Sequence, residues 1–279
     1  MVTRPGLLGV LLLFVATATA RATQPTSLEA GYGLMYSFDF AAAGDEFSRW
    51  TADHPGDPLG PVSQGANLLV SELSRLGVLE AQFFVSDSSF TRGRRLEPDQ
   101  AVRARLGAVL ADGARLADAR LLQDAGDRNS LFAMALICGL RADYAGLIEQ
   151  RSMAALSYTR EGMRWANKLL AVAPDWADAR VATGISEYIV GSLVAPLRWV
   201  LRLGGYSGNK SKGLEQVRIA AEHGRLLAPL ARILLSIAYQ REGDRAKARA
   251  MVASLCRDFP ANPMFARELL RLDRSSNAP

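Results

Sequence analysis

The sequence predicts an all-α fold: a superhelical array of antiparallel helix pairs interrupted by two insertions. Three observations predict it. The stretch Pro229 to Asn262 is a thirty-four-residue unit of two helical patterns joined by a polar turn. In its first half Leu230, Ile233, Leu234, Ile237 and Ala238 fall on one face of a 3.6-residue repeat. Ala246, Ala248, Ala250, Met251, Leu255 and Phe259 resume the pattern until Pro260 ends it. Second, Gly31, Gly65 and Gly184 each stand eight positions into a comparable unit. Third, Pro55, Pro174 and Pro260 each precede an Asp or Asn by one or two residues, marking the ends of units. One helix pair cannot bury its apolar face alone, so a single complete unit implies neighbours of the same kind.

In chain order, Arg4, the apolar run Leu7 to Val15 and Ala18-Thr19-Ala20 read as a secretory signal over residues 1–20. About nine apolar residues fall short of the roughly 20 needed to span a bilayer. No later apolar run reads as long enough to span. The absence of a cysteine after that run argues against a lipid-anchored N-terminus. The protein is therefore expected to be exported and periplasmic, with peripheral contact to the outer membrane as an option.

Residues 26–272 read as the helical-repeat domain and residues 273–279 as a disordered tail. Ser27 to Pro55 forms the first unit, with small Gly31 and Ala43 and large Phe47 where two helices approach closely. Trp50 stands where a small residue suits the packing better, which predicts a wider contact or an exposed ring. Val62 to Leu76 is a helix whose partner is delayed to Asp99–Asp124 by an insertion carrying Arg92, Arg94 and Arg95. Asn129 to Ile148 and Met153 to Val172 form the next pair. The unit after Trp176 is split by a second insertion, Val190 to Lys212, ahead of a helix from Gly213 to His223. In Pro229–Asn262, Gly243 sits where a helix end tolerates a left-handed residue. Pro263 to Leu272 is a short last helix.

These prolines, glycines and the thirty-four-residue period resemble tetratricopeptide (TPR) repeats, over most of residues 26–272. That resemblance implies a right-handed superhelix with a concave face. Within it, the segment Gly184 to Gly213 looks like a region of a eukaryotic TPR family of mitochondrial outer-membrane and inclusion-body-clearance proteins. The shared features are Gly184, Pro196, Gly204-Gly205, Gly208 and Gly213-Leu214. This second resemblance implies a scaffold-like role. The Ala-, Arg- and Leu-rich composition is more in keeping with a bacterial exported protein than with a mitochondrial one.

Composition narrows the function further. A hydrophobic content of 49% with 22% charged residues argues against wholesale disorder. A formal charge of +5 is too small at this length to argue for nucleic acid. Cys138 and Cys256 have no metal-ligand spacing and are expected as buried free thiols, although export would permit a disulfide. His54 and His223 suit a turn and a helix C-terminus better than a metal site. Gly204 to Ser211 approaches a phosphate-binding loop, but Asn209 replaces its second glycine and Leu197 to Leu203 reads as helix rather than the required strand. A turn between helices is the expected role.

The function these features predict is a scaffold that binds a protein or peptide along its concave face, without catalysis, cofactor or metal. Tyr32, Tyr36, Asn67, Glu187 and Tyr188 are the candidate groove residues, from the first helix of each pair. Trp199 and Arg202 are candidate contacts in the second insertion. One alternative is a glycan-cleaving or other hydrolase with Glu187 as general acid. The other is a membrane-peripheral assembly factor docking through Val190 to Tyr206, where Trp199 and the arginines would sit at an interface.

Overall fold

The computed structural model describes residues 27–79, 96–192 and 208–276. Among them all regular structure is helical: eleven α-helices, one π-helical turn and one short 3-10 turn. The helices are α1 (Leu28–Tyr36), α2 (Phe40–Asp53), α3 (Leu59–Arg75), α4 (Gln100–Gln123), α5 (Arg128–Asp143), α6 (Ser152–Val172), α7 (Arg180–Ser192), α8 (Lys210–His223), α9 (Ala228–Arg241), α10 (Arg245–Asp258) and α11 (Pro263–Ser276). The signal segment, Arg92–Arg95, Trp199 and Arg202 all lie outside the described residues.

Local chemistry sets most helix starts. Ser27, Asp39, Asp99, Asp127, Asn209 and Asp244 each accept a hydrogen bond from a first-turn amide, satisfying donors that the helix itself leaves open. Helix ends are equally local. Gly243 takes φ +78° and Gly77 φ +67°, and each lets the following amide reach back to a carbonyl five residues earlier.

The helices pack as neighbouring pairs, α1 with α2, α3 with α4, α5 with α6, α7 with α8 and α9 with α10. Both interrupted units therefore close across their insertions. Glycines allow the closest approaches. A Cβ on Gly31 would enter the Phe47 ring; one on Gly65 would lie 2.7 Å from Leu110, and one on Gly184 2.8 Å from Val217. The pairing of Gly31 with Phe47 follows the small-against-large expectation. The α7–α8 contact is the tightest. Cβ atoms on Gly191, Gly208 and Gly213 would each collide with backbone of the facing helix or its flank.

Two boundaries and one hydropathy expectation differ from the sequence reading. Val190 to Ser192 are the last turn of α7 and Lys210 to Lys212 the first of α8, so the second insertion is shorter than expected. The last helix runs through 273–276, residues read as tail. Arg128–Ile148 is, by length and composition, apolar enough to cross a membrane, against the expectation that no later segment is; 56% of its apolar window is buried within the fold, as for a core helix.

The first described helix also touches the C-terminal units. The Tyr36 hydroxyl donates to the Leu226 carbonyl at 3.3 Å, and Asn262 Nδ2 donates to the Tyr36 carbonyl at 2.8 Å. The Tyr36 and Phe259 rings lie 5.6 Å apart, and Arg225 pairs with Glu29 at 3.1 Å. One continuous apolar core consequently runs from Leu28 in α1 to Leu235 in α9. Asp178 anchors the receiving loop. Only 5% exposed, its carboxylate accepts the amides of Arg225, Leu226 and Leu227.

Candidate functional site

Most of the candidate groove residues lie in the core. Tyr32 and Tyr36 are 3% and 7% exposed, packed beneath Phe47 and Phe259. Burial pushes the Tyr32 hydroxyl up to about 12 and that of Tyr36 well above its ordinary value. Asn67 is buried in α3 and donates from Nδ2 to the Phe40 carbonyl at 2.9 Å, tying α3 to α2. Tyr188 is buried and donates to Glu242, which also pairs with Lys210. None of these four offers its side chain to a partner in this arrangement. Tyr36 is in the core because the loop at Leu226 and the Phe259 ring pack on it, whereas Tyr32 packs on Phe47 and Asn67 on the end of α2 within the N-terminal units.

Glu187 is half-buried, and both its oxygens are engaged. Oε1 pairs with Lys212 Nζ at 2.7 Å and Oε2 accepts the Asn209 amide at 3.0 Å. It clips the start of α8 to α7. Asn209, which interrupts the phosphate-loop pattern, is the N-cap of α8. Trp50 is half-buried; it stacks on His54 with ring centres 3.9 Å apart and donates to Asp57. Cys138 and Cys256 are free thiols, and burial pushes Cys138 up to about 11.

A different place has the features of a site. Between α4 and the π-helical turn Tyr144–Ile148 lies a hollow of about 190 Å³. The π turn follows α5 directly and leaves its backbone wider than an α-helix, with Glu149 N bonding the Tyr144 carbonyl and Arg151 N the Ala145 carbonyl. That widening carries the chain past α4 and into the left-handed turn at Gln150 (φ +57°) before α6 begins. The floor is apolar, from Leu106 and Leu110. The rim is cationic. Glu149, with its side chain 17% exposed, pairs with Arg103 at 2.6 Å and with Arg151 at 3.2 Å, fixing two guanidinium groups around one carboxylate.

Arg141 also lines the hollow, and its half-buried side chain has no ion pair or hydrogen bond among the described residues. Tyr144 is 8% exposed and its hydroxyl is buried without a hydrogen-bond partner. Burial raises its pKa, with Arg103 opposing and Glu149 adding to the shift. The other hollow worth noting, among α9, α10 and α11, is about 30 Å³ and apolar, enough for a water or two. No group of three or more metal-ligating side chains occurs among the described residues.

Beside the hollow, the first half of α6 stands clear of the core. Only Gly162, Ala166 and Leu169 of this helix are buried. Met153 is 80% exposed, and Leu156 and Tyr158 are each 37% exposed, with Tyr158 reaching the edge of the hollow. Sequence reasoning passed over these residues because apolar spacing in α6 reads as one continuous core face. The one available signal was Arg141 and Arg151 bracketing an aromatic and a glycine, too common a pattern to single out. No protein-family model matches the chain, and no curated protein matches it.

Proposed function

We propose that the protein is an exported TPR-like scaffold that binds a protein or peptide partner through the exposed start of α6, without catalysis. The observation that carries this reading is the projection of Met153 and Leu156 from a helix that enters the core only from Gly162 onward. Met153 and Leu156, three residues apart, share one face of α6, and exposed apolar side chains beside a charged rim are typical of a partner-binding surface. The superhelical, TPR-like arrangement is part of the same proposal. Its supports are the neighbour pairing and the glycine-to-large contacts of Gly31, Gly65 and Gly184. With Tyr32, Tyr36 and Tyr188 in the core, the binding face moves from the first helices to α6. A hydrolytic site at Glu187 has no observation in its favour, and docking through Val190 to Tyr206 concerns residues that are mostly outside those described.

Affinity capture with the full chain and with a Met153→Glu, Leu156→Glu double variant tests the reading. Both side chains are exposed, so the variant should keep its unfolding midpoint. A partner retained by the parent chain and lost by the variant is expected. Equal retention by both, or no partner with the parent chain, defeats the proposal.

A further inference from the structure

The geometry points to a small-ligand site in the hollow between α4 and the π turn, selective for an organic carboxylate with an apolar body. This site stands independently of any partner on α6. A half-buried guanidinium without a partner is costly, because the charge loses water and gains nothing in exchange. Arg141 is in that position among the described residues, and the Tyr144 hydroxyl, from a residue lining the same hollow, is a second unmatched donor. A carboxylate accepts two parallel hydrogen bonds from a guanidinium fork and has lone pairs left for a hydroxyl, so one group satisfies both.

The wall favours an anion. Arg103, Arg141 and Arg151 face one carboxylate, Glu149, which pairs with Arg103 and Arg151, and Arg141 has no partner opposite it among the described residues. The apolar floor, not the charge, sets an organic carboxylate apart from phosphate. Size and lining set the rest of the ligand. A hollow of about 190 Å³ holds on the order of a dozen waters, and its Leu106 and Leu110 floor favours alkyl carbon over further polar groups.

Calorimetric titration of the full chain with hexanoate, hexanamide and inorganic phosphate tests this. Hexanoate should bind, with hexanamide and phosphate at least about tenfold weaker. Arg141→Ala should lose on the order of tenfold to a hundredfold in hexanoate affinity, Arg141→Lys somewhat less, and Tyr144→Phe a few-fold. Circular dichroism checks that the variants are folded; Tyr144→Phe keeps the ring, so it carries the test should Arg141→Ala fail to fold. No hexanoate binding, equal binding of the amide or of phosphate, or undiminished binding by folded Arg141 and Tyr144 variants would overturn the site.

Discussion

Replacing Asp178 by alanine removes the acceptor that holds three consecutive amides of the loop from Arg225 to Leu227. Two of those bonds are buried, and Gly224 lies so close that a Cβ there would sit 2.7 Å from the carboxylate. Each buried amide left without an acceptor costs about 1–3 kcal/mol, and water entry relieves part of this. The expected loss is therefore about 3 kcal/mol, a large fraction of the stability of an ordinary domain. The loop also supplies the Leu226 carbonyl bonded by Tyr36, so the effect should reach α1. Urea unfolding followed by circular dichroism measures the loss. Hydrogen exchange should show the Leu226 and Leu227 amides protected in the parent chain and exposed in the variant. A loss below about 1 kcal/mol with both amides still protected would refute the argument.

Further predictions follow the same logic. Gly213→Ala places a Cβ against the Tyr188 amide and the Gly184 carbonyl, backbone that cannot step aside, and should cost about 2 kcal/mol in urea unfolding. Gly139→Ala, a helical position with open space, should instead gain up to about 1 kcal/mol. Burial alone would raise the Asp127 pKa, but Arg120 and Ser130 outweigh it and hold the carboxyl at about 2 against an ordinary 3.8. A depressed folded pKa means this contribution is present above about pH 4 and lost as pH falls toward 2. It is worth about 2 kcal/mol, and Asp127→Asn should flatten that part of the pH–stability curve. Cys138, raised to about 11 by burial, should resist alkylation at neutral pH in the folded chain and react on unfolding. Labelling at the folded-state rate of a free thiol would contradict its placement.

What was legible in the sequence was what adjacent residues determine. Gly31 and Phe47 meet because a helix pair brings positions sixteen apart into contact, and Gly243 ends α9 through its own backbone freedom. The partner helices after both insertions were legible for the same reason, since Gly65 against Leu110 and Gly184 against Val217 repeat the first pair's packing. The closure of Tyr36 onto Leu226 and Asn262 was not. It joins residues 190 and 226 positions apart, and no local pattern marks it. That contact places Tyr36, read as a candidate binder, in the core. The hollow was hidden differently: Arg141, Tyr144 and Arg103 converge only because a π turn widens the end of an apolar helix.

The central claim is that the exposed start of α6 is the binding face. Titration of the captured partner against Met153→Glu, with Leu270→Glu on α11 as an equally polar change at an exposed apolar site, tests it most directly. A loss of about tenfold or more is expected for Met153→Glu and no change for Leu270→Glu. Equal affinity for both variants, or a loss confined to Leu270→Glu, would contradict it.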